Sequence, residues 1–480
     1  MNQNKRSGKE GSADSEESVE RRASTERKTE PSGVTVTQST GQTTSALFRI
    51  REVAKKSSTV QFNNLFSHLT QGLLEQSFAS LRKQAASGID GVSWEDYAEQ
   101  HQDHIKVLVR KLHTGKYYPQ ASKRVWLSKE DGSKRPIGIS VLEDKIVQKA
   151  LCWILQSIYE EDFRGFSYGF RPGRSQHNAL DALYVAITQK KVGWVLDADI
   201  KGFYDNLDQE WLLMFITQRV SDKRVHELLV RMLRAGVEEN GSWSSTEVGT
   251  PQGSGLSALL ANVYLHYVLD LWVEQWRKQR ARGEVYVVRY ADDTVFCFQY
   301  GSEGETFRRQ LHDRLQRFGL ALHDKKTRLL EFGRFASSNR QSRGQGKPQT
   351  FDFLGFTHIC EIRRSDGKFK LHRQSISKRL RAKVKEIKTQ LLRCRSLKID
   401  VQGRWLRSIV QGYYNYFGVP GNMTALNTFR TLICRAWIKS LRRRSHKAAK
   451  LNWLKMQRLI NYFIPSVKSI HPYPNQRLRV

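Results

Sequence analysis

Two neighbouring carboxylates, Asp292 and Asp293, interrupt an otherwise apolar stretch. Val285-Tyr286-Val287-Val288 precedes them and Thr294-Val295-Phe296-Cys297-Phe298 follows. A lone Asp-Asp pair is ordinarily no more than a polar hairpin turn. Two like charges at the tip of a buried hairpin are costly, because they repel and lose water. A divalent cation removes that cost, and hard Mg²⁺ prefers carboxylate oxygens and keeps positions open for phosphate. A second acidic strand end lies upstream in Trp194-Val195-Leu196-Asp197-Ala198-Asp199, where Asp197 and Asp199 fall on one face of an extended strand. Joining the two strand ends gives a three-carboxylate cluster, the arrangement that holds a metal pair for in-line attack on a phosphate.

The surrounding elements are legible in outline. Trp194–Leu196 reads as a short buried strand ending in acids, and Val285–Tyr300 as a hairpin around the Asp pair. Trp126–Ser128 reads as a strand entering the Lys129-Glu130-Asp131-Gly132 turn. Helical spacing marks Leu73–Lys83, Leu142–Tyr159, Ser257–Arg282 and Thr306–Phe318. Phe351–Ile359 is strand-like, and from about Ile362 the pattern is helical and basic.

Of the 480 residues, 80 are Lys or Arg and 47 Asp or Glu, a formal net charge of +33. Leu371–Val480 holds 25 basic residues against Glu386 and Asp400 alone, so +23 of the +33 lies in under a quarter of the chain. A one-sided field of this size, in a segment with Tyr413, Tyr414, Tyr416 and Phe417, points to a polyphosphate partner. Arginines would hold phosphate and aromatics stack on bases, although such aromatics equally serve as helix-packing core. Residues 1–46 balance seven basic against seven acidic residues and lack aromatics, so the composition predicts a disordered tail with no secretory signal. The five cysteines are scattered without a C-x-x-C pair, which argues against a disulfide framework or a cysteine zinc site. No apolar run suggests a membrane span.

Several blocks, in order, resemble those of group II intron-encoded reverse transcriptases. Tyr290-Ala291-Asp292-Asp293 resembles the Y-x-D-D box, and DIKGFYDNLD (199–208) the block carrying the first metal aspartate. FSYGFRPGRSQHNALD (166–181) and GTPQGSGLSALLANVYL (249–265) resemble the intron-type second block and the nucleotide-binding block. HDKKT (323–327) and FDFLGF (351–356) resemble the two that follow, and GYYNYFGVPGN (412–422) the maturase domain. The family often shows Gly-Gly-Pro-x-Ser-Pro where this chain reads Gly253-Ser254-Gly255-Leu256-Ser257-Ala258, which puts the approach to the following helix in doubt.

The resemblance implies an α+β fold: a right-hand polymerase, with fingers and an antiparallel palm sheet, followed by an α-helical thumb or maturase domain. It places fingers with an N-terminal extension at 47–190, palm at 191–362, thumb at 363–450 and a short DNA-binding tail at 451–480, where relatives often continue into an H-N-H endonuclease. Asp199, Asp292 and Asp293 match the catalytic metal triad, with two Mg²⁺ ions as cofactor and Mn²⁺ as a substitute; Asp197 and Asp205 do not match. Lys129, Arg135, Tyr204, Gln252, Gly253 and Lys326 match nucleotide-binding positions, Tyr204 beneath the deoxyribose. Arg171, Arg174, Tyr413, Arg442, Arg443, Arg444 and Lys447 are the nucleic-acid-binding candidates. The implied partners are a group II intron RNA, an RNA template with its DNA primer, target DNA and dNTPs, in a bacterial cytoplasm and on the nucleoid when DNA-bound. The implied function is intron splicing assistance followed by copying into DNA. The alternatives are a domesticated reverse transcriptase in defence or repair, and a catalytically silent RNA-binding splicing factor.

Overall fold

A computed structural model describes residues 38–128, 134–250 and 253–477. The chain divides into two compact units. One takes the residues up to Ala179 with Leu196–Phe296 and Ser302–Arg328; the other takes Leu180–Val195, Cys297–Gly301 and Leu329–Val480. The architecture is α+β. The strands are β1 (Ser122–Ser128), β2 (Lys134–Ile139), β3 (Trp194–Ala198), β4 (Val237–Glu239), β5 (Ser242–Ser244), β6 (Val285–Tyr290), β7 (Asp293–Phe298), β8 (Arg328–Glu331), β9 (Phe351–Phe353), β10 (Phe356–Ile362) and β11 (Phe369–Ser375). They form three sheets, ordered β2-β1-β4-β5, β6-β7-β3-β8 and β11-β10-β9. Pairing is antiparallel in the β1–β2 hairpin and in β9–β10–β11, whereas β1 and β4 run parallel.

In the first unit the helix Leu142–Asp162 is the central support. Its buried positions Val147, Leu151, Ile154, Leu155 and Ile158 recur at three- and four-residue steps, so one apolar face is covered along its length. The helix Gln38–Lys56 packs on it and begins inside the 1–46 segment whose composition suggests disorder. Ile50 and Ala54, one turn apart and both buried, supply the apolar face that orders it. The helical run Gly255–Arg280 is long and apolar enough to cross a membrane by length and composition, and 78% of its apolar window is buried inside the protein. Packing within the unit accounts for that composition. A π-helical turn, His266–Asp270, interrupts the run and re-aims the side chains of its second half.

In the second unit the helices Ser377–Arg393, Ile399–Phe417, Met423–Arg442 and Trp453–Phe463 share one core. Leu380, Ile387, Leu406, Leu426, Phe429, Ile433, Trp437, Met456 and Ile460 close it. These helices are basic outside and apolar inside, as the 3.6-residue spacing requires.

Candidate active site

The hairpin β6–β7 turns through Ala291 and Asp292, with Ala291 in the left-handed region at φ 58°. Strand β7 neighbours β3, and the Gly193 N–H donates to the Phe298 carbonyl at 2.9 Å, so the start of β3 lies beside the end of β7. An antiparallel course then carries Asp199, just past β3, towards the Asp292 tip. The charge of Asp199 acts on Asp292 accordingly. The Asp292 carboxyl is held above the usual carboxylate range, chiefly by burial, with Asp199 adding and Arg135 and Arg289 opposing. Tyr204 is buried beside the same carboxylate; burial first, then Asp292, raises its hydroxyl pKa.

Among the described residues no group of three His, Cys, Asp or Glu side chains is spaced to hold a metal ion. Asp199 pairs with the Lys326 ammonium at 2.8 Å, and Asp293 is exposed at the first position of β7. Asp199 and Asp292 thus act on one another electrostatically, while Asp293 stands on the exposed side of the same tip. Repulsion between the two like charges is eased at Asp199 by this lysine, which belongs to the His323–Thr327 turn. That turn is anchored to the site, because the His323 N–H donates to the Asp199 carbonyl at 2.8 Å. Asp205 is exposed in the short helix Phe203–Asn206.

The remaining nucleotide-binding candidates surround this pair. Arg135 stands on β2 opposite Leu127, its charge reaching both Asp292 and Tyr204. Gly253 has φ 127°, and a Cβ there would sit 2.9 Å from the Gly138 carbonyl of β2, so only glycine lets this loop approach the hairpin. Lys129 and Gln252 lie outside the described residues.

A buried network beneath the tip escaped sequence reasoning. Arg289, fully buried, donates from Nε to Asp270 at 2.7 Å and from Nη2 to the other Asp270 oxygen. From Nη1 it donates to Asn262 Oδ1 at 2.9 Å and to the Ala291 carbonyl at 3.1 Å. Asn262 in turn donates to the Gly169 carbonyl at 2.7 Å. Phe166–Tyr168 adds to the edge of β6: the Tyr168 N–H donates to the Arg289 carbonyl and the Arg289 N–H to the Phe166 carbonyl. A Cβ on Gly169 would lie 2.3 Å from the Ala291 nitrogen. The available signal was one unexplained charge in each of two apolar runs, Arg289 in VYVVRY and Asp270 in YVLDLW. Buried charges of opposite sign need each other.

The nucleic-acid candidates separate into inside and outside. Arg171 is buried, ion-paired to Glu160 at 3.0 Å and donating to the Arg164 and Ser167 carbonyls. Arg174 is half-buried against the Tyr168 ring and donates to the Gly165 and Ser167 carbonyls. Both therefore fasten the 164–168 segment and are corrected from template contacts to structural ones. Tyr413 is buried with its ring stacked on Phe429 at 3.8 Å, which removes it from base stacking. Arg444 donates to the Ser396 and Leu397 carbonyls, and Arg442 to the Leu451 carbonyl at 2.7 Å. Arg443 is exposed. Lys447 falls in the helix His446–Ala449, and its side chain lies outside the described residues.

Residues 127–358 match the family model for reverse transcriptase (RNA-dependent DNA polymerase). The group II intron-encoded protein LtrA of Lactococcus lactis subsp. cremoris is 36% identical over 238 residues, 47% of this chain and 38% of that protein. Protein YkfC of Escherichia coli (strain K12) is 32% identical over 200 residues, 41% of this chain and 52% of that protein. An uncharacterized 91 kDa protein in the cob intron of Schizosaccharomyces pombe is 34% identical over 177 residues, 37% and 22% of the respective chains. The matched stretches thus span from about a fifth to a half of those relatives' own lengths.

Proposed function

Because the chain carries a reverse transcriptase domain related to group II intron-encoded proteins, we propose that it is an RNA-directed DNA polymerase serving such an intron. It binds the intron RNA, assists its splicing and copies it into DNA during retrohoming. The observation that carries the reading is the pair of interacting carboxylates, Asp199 and Asp292, with the Asp292 carboxyl raised by burial.

A reverse transcriptase domain requires a divalent metal. The donor set fits one: hard carboxylate oxygens, one of them buried at a cost that a cation would relieve. Asp199, Asp292 and Asp293 would hold Mg²⁺, as a pair of ions, with Mn²⁺ able to replace it. When bound, such cations would supply Lewis acidity for a primer 3′-hydroxyl and for the departing pyrophosphate.

The protein's own contributions are positional. Tyr204, buried beside Asp292, forms the floor under the sugar of the incoming dNTP and disfavours a 2′-hydroxyl. Arg135 on the β1–β2 hairpin supplies positive charge for the triphosphate, with the Gly253 loop packed behind it. Lys326, paired with Asp199 at 2.8 Å, adds positive charge beside the nucleotide phosphates. Sheet β6-β7-β3-β8 is the palm of this right-hand polymerase, β1–β2 belongs to the fingers, and the helices from Ser377 onward make the thumb that holds the RNA template, its DNA primer and target DNA.

The test is primer extension on poly(rA)/oligo(dT) with Mg²⁺. The wild-type chain extends the primer; Asp292→Asn abolishes extension while RNA affinity holds, because a metal ligand is lost and no basic contact is. Extension by the variant, or none by the wild type, would overturn the assignment.

A further inference from the structure

The helix Met423–Arg442 presents Arg435, Ile438, Lys439 and Arg442 on one face, three and four residues apart. With Arg443 just past the helix end and Trp453, they line an open groove of about 750 Å³. Among the described residues its charge is uncompensated. Glu386 and Asp400, the two acids of Leu371–Val480, already pair with Lys383 at 2.9 Å and Arg404 at 2.5 Å. Among the described residues Arg435, Lys439 and Arg443 have no ion-pair partner, so an outside anion would relieve their mutual repulsion. The helix C-terminus accounts for cations in its last turn, such as Lys439 and Arg442, but not for Arg435 two turns in.

Spacing narrows the anion. Arg435, Lys439 and Arg443 follow at four-residue steps, a rise of about 6 Å each along a helix. That is close to the separation of successive phosphates along one polynucleotide strand. Trp453, from the helix Trp453–Phe463, also lines the groove and is 47% exposed. Among the described residues no aromatic or cationic group stacks on its ring. An exposed indole beside a row of cations suits an unpaired base, because a base within a duplex offers no free face. Arg442 fixes the geometry by donating to the Leu451 carbonyl two residues before Trp453.

We infer that this groove binds an unpaired polynucleotide strand, with successive phosphates on Arg435, Lys439 and Arg443 and one base stacked on Trp453. The inference rests on the nucleic-acid reading above and adds to it a binding site for a single strand, outside the carboxylate site.

Fluorescence anisotropy of the full chain with oligo(U), oligo(dT) and a duplex of matched length, over a salt series, tests it. Arg435→Gln/Lys439→Gln/Arg443→Gln is expected to lower the salt slope for oligo(U) by up to about three units. Trp453→Ala should weaken binding by roughly 5- to 100-fold, and Trp453→Phe should keep most of it. Circular dichroism melts establish that each variant is folded. Stronger binding of oligo(U) than of oligo(dT) identifies RNA as the source, equal binding identifies either strand, and both outcomes support the groove. Tighter binding of the duplex than of both single strands overturns it, as does an unchanged salt slope in the folded triple variant. A wild-type chain that binds through these residues yet never extends a primer refutes the polymerase reading and leaves the groove standing.

Discussion

Asp270→Asn tests whether the catalytic tip is held from beneath. Asp270 and Arg289 both have fully buried side chains, and the guanidinium meets the carboxylate through two hydrogen bonds. Asparagine has nearly the same shape, so packing survives and only the countercharge is lost. Arginine does not lose its proton in a protein, so the variant buries an unpaired cation at a cost of about 3–5 kcal/mol. Against a typical total of about 5–15 kcal/mol, that is a large fraction. The loss also reaches the chemistry, because the same guanidinium holds the Ala291 carbonyl and Asn262. Urea unfolding gives the stability and primer extension the activity. The double variant Asp270→Leu/Arg289→Met removes both charges; it should recover most of the stability but not the extension, since the Ala291 carbonyl stays without its donor. Asp270→Asn within about 1 kcal/mol of wild type would refute the reasoning, the expected loss being several-fold larger. Full extension by the double variant would refute it equally.

Gly169→Ala places a Cβ 2.3 Å from the Ala291 nitrogen, so the tip must shift; extension should fall steeply at a cost of about 1–3 kcal/mol in the urea midpoint. Arg171→Ala should cost about 3–5 kcal/mol by stranding Glu160, and leave the salt slope of RNA binding unchanged in the folded fraction. Tyr413→Ala should likewise cost about 3–5 kcal/mol through loss of its stack on Phe429, again without altering the slope. Acid should destabilise the protein through His266 and His358, whose pKa values are pushed down to about 3, first by burial and then by nearby arginines. The unfolded rings take up protons near pH 6.5, so this stability is complete above that pH and drains away as the pH falls towards 3. Each contributes a slope of up to about 1.4 kcal/mol per pH unit, which urea titrations at pH 7.5 and 5 would read; equal midpoints would contradict it.

The strand ends that carry the proposed site are written locally and can be read from the chain. Asp199, Asp292 and Asp293 each sit at a strand end marked by flanking apolar runs, and Val285–Phe298 alternates apolar sequence around a two-residue turn. Charge composition points to a polyphosphate partner in the same way, because 25 cations against two acids need no fold to be counted. Periodicity of 2 or 3.6 tells which residues share a face, but not which neighbour covers that face. The tertiary structure alone decided that Arg171, Arg174 and Tyr413 turn inward while Arg435, Lys439 and Arg443 stay outside. It also decided that Lys326 reaches Asp199 and that Asp270, nineteen residues before Arg289, neutralises it under the catalytic tip. These outcomes depend on which face the packed elements cover, and on contact between segments as far apart as Lys326 and Asp199, where burial converts a weak surface charge into one that must be matched.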